Sequence, residues 1–99
     1  MTDQRRTLFK RIIWGDYNYT PEQVEDIIQS EGMSSEKIMM YRKILMSERW
    51  YTIIKILSNS ELKEALDEKV IKTIWVQSLR NKYYHAQQVL FGETLSITR

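Results

Sequence analysis

Cysteine is absent from the 99 residues, which excludes disulfides, thiol nucleophiles and thiolate metal sites. One proline and three glycines leave few of the turns that a sheet of short strands needs. The single histidine, His85, has no nucleophile or carboxylate at a spacing that would make a catalytic pair or a ligand set, so neither a metal nor a cofactor is expected. Glycine-rich phosphate loops, a G-x-S-x-G elbow and an H-E-x-x-H helix are missing too, and no enzyme is expected. No apolar run approaches the roughly 20 residues that span a bilayer. In MTDQRRTLFKRIIWG the arginines precede an apolar patch too short and interrupted for a signal peptide. The expected setting is therefore the cytoplasm of a microbe, with no membrane contact.

What is present is apolar spacing at three and four residues. A hydrophobic fraction of 42% argues against disorder and for one core. The expected architecture is all-α, a compact bundle of five or six helices with a long C-terminal helix. Residues 1–92 form the single domain, and 93–99 form a frayed tail. Leu8, Phe9, Ile12 and Ile13 share one face of a short helix ending near Trp14 and Gly15. Thr20, Pro21 and Gln23 have the order of a helix cap, a first helical position and the partner of a capping box. Val24, Ile27 and Ile28 supply that helix's buried stripe, and Gly32 its stop. Ser34 and Ser35 open the next helix, with Ile38, Tyr41, Ile44 and Leu45 inward and Met39 or Met40 joining them. At Ser47-Glu48-Arg49 this helix either continues or gives way to a new one bearing Trp50, Ile53, Ile54 and Leu57. The methionines at 33, 39, 40 and 46 are expected to fill the core. Ser60 is expected to cap a short helix after the break at residues 58–60. Asp67 is expected to cap the last helix, 68–91, whose stripe runs Ile71, Trp75, Leu79, Tyr83, Ala86 and Leu90 before Gly92 ends it. Trp75, at the middle of that stripe, is expected to be buried. Lys82 falls inside the apolar arc, so the helix either lets it snorkel or breaks near Asn81.

The net charge of +2 is segregated. Arg5, Arg6, Lys10 and Arg11 precede an acidic block of Asp16, Glu22, Glu25, Asp26 and Glu31. From Lys69 to Gly92 there is no acid at all. Such blocks are either solvated helix faces or the two ends of a bipolar surface. On one continuous last helix, Lys69, Thr73, Gln77, Arg80, Tyr84, Gln87 and Gln88 would lie opposite the apolar stripe. Arginine and glutamine can read base edges and lysine can hold phosphate, so this face is the candidate surface for a partner or for nucleic acid. Tyr17 and Tyr19 are the loop candidates, with packing at the core edge favoured over ligand contact.

The segments LFKRIIWGDYNYTPEQVEDII, EKIMMYRKILMSERWYTIIKIL, SELKEAL and DEKVIKTIWVQSL resemble short all-helical bacterial domains of the antitoxin type, found beside nucleotidyltransferase-like toxins. Trp14, Asp16 and Tyr17 match the opening aromatic-acid element, Trp50 the middle helix, and Ile74-Trp75 the last. Gly15 departs from the pattern by splitting the opening aromatic from the acid. The resemblance spans about residues 8 to 80. It implies binding of a protein partner, with DNA-linked autoregulation a further implication, and no catalysis. The expected function is thus a small helical domain that binds a protein or itself, with a DNA-binding regulator using the last helix as the alternative.

Overall fold

A computed structural model of the chain describes residues 1–15 and 18–92. The expected tail at 93–99, and Asp16 and Tyr17, lie outside the described residues. Within them the fold is all-helical, with seven helices: α1 Asp3–Ile12, α2 Pro21–Gln29, α3 Ser35–Ser47, α4 Trp50–Ile56, α5 Asn59–Ala65, α6 Glu68–Ile71 and α7 Gln77–Phe91. None of these is long and apolar enough to cross a membrane.

Local chemistry sets most boundaries. Thr2 caps α1 by accepting from the Arg5 amide. Thr20 accepts from the Gln23 amide at 3.2 Å, and the Gln23 side chain accepts from the Thr20 amide at 2.8 Å, closing the expected capping box ahead of Pro21. Gly15 and Gly32 follow α1 and α2 with φ of 84° and 77°, a left-handed backbone that glycine adopts without Cβ strain. The cap of α5 is Ser58, not Ser60: Ser58 and Glu61 form a second capping box, so the helix starts two residues earlier than expected. At Ser47-Glu48-Arg49 the chain does break, with Glu48 extended, and α4 is separate from α3. Gly92 ends α7 as expected. A Cβ there would meet the Gln88 carbonyl oxygen at 2.7 Å, so only glycine fits.

The expected long last helix is two helices, and this is the main correction to the architecture. Residues 72–76 leave the helix: Thr73 and Ile74 amides bond back only three residues, to Val70 and Ile71, in a tightened turn. Thr73, Ile74 and Val76 are β-branched and Trp75 is aromatic, all poor helix formers. Val70, Ile71 and Ile74 are all fully buried on either side of this turn. The consequence for Trp75 is reversal: it is 72% exposed. Of the two alternatives for Lys82, the break near Asn81 does not occur, since Asn81 lies well inside α7.

Helix α3 is the centre of the fold and packs against α1, α2, α4, α5 and α6. Its Met40, Tyr41, Ile44 and Leu45 meet Leu8, Phe9, Val24, Ile28, Ile53, Leu66 and Ile71 in one core. Met33, Met39 and Met46 are half-buried against it, in agreement with core filling. Helix α7 contributes Tyr83, whose hydroxyl donates to the Leu45 carbonyl at 2.6 Å and whose ring lies 6.3 Å from that of Trp50. Lys82 projects outward, with its ammonium 5.6 Å from the Tyr83 ring centre.

Candidate partner-binding surface

Each arginine of α1 is spent on a carboxylate of the same chain. Arg5 donates from Nε to Glu25 at 2.6 Å and from both terminal nitrogens to Glu61 at 2.8 and 2.5 Å. Arg6 pairs with Glu22, and Arg11 pairs with Glu48 through two bonds of 2.9 and 2.8 Å. Lys37, buried in α3, bonds the Ser30 carbonyl and Glu64. The three arginines of α1 and Glu22 and Glu25 of α2 therefore form internal bridges, while Asp26 of α2 is in no ion pair among the described residues. The shifted ionisable groups belong to these bridges and to the core. Burial opposes charge on Glu61, but its bonds to Arg5 and the Ser58 amide hold its carboxyl below the usual range. Burial, then the bond to Glu64, pushes the Tyr41 hydroxyl far up, and burial alone raises Tyr83.

A different set of cations stays open. Arg42 of α3, Lys69 of α6 and Lys72 just after α6 line one surface groove of about 620 Å³, with Ile38 and Met39 as its apolar part. Ser35 and Thr73 complete the rim. Among the described residues none of these three cations is in an ion pair, and no acid lines the groove. The Arg42 guanidinium lies 6.0 Å from the centre of the Trp75 ring, so the exposed tryptophan stands at the edge of the same groove. Three like charges, an exposed indole and two half-buried aliphatic side chains thus share one corner of the molecule.

The expected binding face fares unevenly. Lys69 and Thr73 reach this corner. Gln77 is exposed at the start of α7. Arg80 turns back to donate to the Ile74 carbonyl at 2.5 Å, and Gln87 donates to the Leu66 carbonyl at 2.7 Å, so both hold α7 in place. Tyr84 is half-buried against the core. The break at 72–76 separates Lys69 and Thr73 from the rest, and no continuous basic helix face exists. Of the loop candidates, Tyr19 is half-buried and donates to Glu36 at 3.1 Å. Tyr17 lies outside the described residues. The expectation missed Arg42, Lys72 and Trp75. The one sequence signal for them was the run of poor helix formers from Thr73 to Val76.

His85 lines a shallow groove with Trp50, Lys82, Val89 and Leu90, and no acid or hydroxyl joins it there. Among the described residues no group of three metal-ligating side chains is assembled. Comparison with protein-family models, curated proteins and solved structures gives no match to this chain.

Proposed function

We propose that this chain is a small non-enzymatic helical domain that binds an acidic surface of a protein partner at the Trp75 corner. One observation carries the reading. Every arginine of α1 is neutralised by a carboxylate of the same chain, whereas Arg42, Lys69 and Lys72 are left open beside an exposed tryptophan. Tryptophan and arginine are among the side chains most often found to dominate protein interfaces. The lysines add attraction that speeds encounter and selects an acidic partner. The antitoxin-like resemblance, which also passes through Ile74-Trp75, points to the same class of function.

A DNA-binding regulator is the alternative, since the same cations suit phosphate. Its recognition element is weaker than the sequence suggests. Arg80 and Gln87, the side chains suited to base edges, are engaged with backbone carbonyls, and α6 is only four residues long. The deciding experiment compares purification of the tagged wild-type chain and of a chain with Arg42→Glu, Lys69→Glu and Lys72→Glu from cell lysates with and without nuclease. A protein retained stoichiometrically by the wild type and lost by the variant supports the reading. Retention that nuclease abolishes, with duplex affinity falling by roughly 0.9 log units per log unit of salt for each phosphate contacted, would establish the alternative.

A further inference from the structure

A second groove lies on the other flank of α3. It measures about 430 Å³ and is lined by Asp26, Glu36, Tyr19 and Ile27, with Asn18 and Gln23, and without a cation. Neither Asp26 nor Glu36 is in an ion pair among the described residues. Glu36 directly follows Ser35 of the basic groove, and a helix rotates about 100° per residue. The first turn of α3 therefore carries a negative groove on one flank and a positive one on the other. Each groove also contains half-buried apolar side chains, Ile27 in the first and Ile38 and Met39 in the second.

We infer that the acidic partner of the Trp75 corner is a second copy of this chain, docked about a two-fold axis that passes by the first turn of α3. The inference rests on the reading proposed above and names the partner. In a two-fold dimer, a patch that meets another patch on the partner is met by it in return, so adjacent patches of opposite charge satisfy each other twice. Arg42 and Lys69 of each copy face Asp26 and Glu36 of the other. Ile27, Ile38 and Met39 of both copies lie toward the axis, where their remaining exposed area is removed from water. A charge pattern of this kind gives strong salt dependence and a closed assembly, because both patches of each copy are occupied in the dimer.

Sedimentation velocity of the full chain, run over a concentration series at two salt concentrations, tests this. The expected result is a dimer of twice the 12.0 kDa chain mass that weakens as salt rises. Arg42→Glu with Lys69→Glu, and separately Asp26→Lys with Glu36→Lys, should each raise the dissociation constant roughly tenfold or more through like-charge contact. Mixed in equal amounts, the two variants should recover the dimer, since both contacts in the mixed pair are again opposite in sign. Far-ultraviolet circular dichroism melts of each variant establish that the loss is not unfolding. A wild-type chain that stays monomeric to about 100 μM, in the range of weak association, overturns the inference. So does a dimer that neither charge reversal weakens, a mixture that fails to recover it, or assembly beyond two copies. If the chain is monomeric yet still retains another protein in a manner lost with Arg42→Glu, Lys69→Glu and Lys72→Glu, self-association fails and the partner-binding reading stands. If it is monomeric and retains none, both fail.

Discussion

Replacing Arg5 by methionine removes the charge that ties α1 to α2 and α5 while keeping an apolar stem of similar length. In the native chain Arg5 bonds Glu25 once and Glu61 twice, and the Arg5 and Glu61 side chains retain only 11% and 10% of their accessible surface. Arg5→Met leaves a buried carboxylate with two remaining donors, the Ser58 amide at 2.9 Å and Gln29 at 2.8 Å. Breaking a buried pair from one side costs about 3–5 kcal/mol, and the surviving donors place this case near 3 kcal/mol. A domain of this size has about 5–15 kcal/mol in all, so the variant should melt about 15 °C lower at pH 7. The pH dependence follows from the sign of the Glu61 shift. In the native chain its carboxyl is held low, so its contribution is present above the unfolded value near 4.3 and is lost as pH falls through the lower folded value. Without Arg5, burial dominates and raises that carboxyl, which makes ionised Glu61 a burden at neutral pH. The gap in melting temperature between native and variant chains should therefore shrink from pH 7 to pH 3. Thermal melts followed at 222 nm measure both quantities. A variant within 3 °C of the native chain at pH 7, or a gap constant with pH, would refute the reasoning.

Thr20→Ala should cost about 1 kcal/mol in chemical denaturation, because it removes one half of the capping box of α2; an unchanged midpoint would show that Pro21 alone suffices. Trp75→Ala should change stability by less than about 1 kcal/mol, since the ring is exposed and loses only a solvated contact with Arg42; a loss of several kcal/mol would return Trp75 to the core. Ultraviolet titration should show Tyr41 and Tyr83 failing to ionise near pH 10 while the chain stays folded. Their folded values are raised, so the stability they confer is complete below the unfolded value and is lost as pH rises above it. Ionisation of all six tyrosines in one step, before unfolding, would contradict this.

The parts of the fold that were legible in the sequence are those that chemistry within four residues decides. The stripe of α1, the Thr20–Gln23 box and the stop at Gly92 all have that range. The S-x-x-E box at Ser58 and Glu61 was equally local but was masked by a second serine at position 60. The last two helices were misread because Ile71, Trp75, Leu79 and Tyr83 keep helical spacing straight through the break. Periodicity cannot register a turn that preserves it, whereas the propensities of Thr73 to Val76 oppose a helix there. The candidate site was less legible still. Arg42 and Lys69 are 27 residues apart in sequence and meet only because α6 packs on α3. The charge blocks at either end suggested surfaces, yet pairing across helices neutralised the arginines of the first block and left Asp26 outside any ion pair among the described residues.

The central claim is that a protein occupies the Trp75 corner. The most direct test places a photo-crosslinking amino acid at position 75 in the intact chain, with exposed position 63 as the control, and irradiates living cells. The account predicts a discrete protein adduct from position 75, absent from position 63 and lost when Arg42, Lys69 and Lys72 are changed to glutamate. Crosslinks to nucleic acid instead, or no adduct that depends on those three cations, would contradict it.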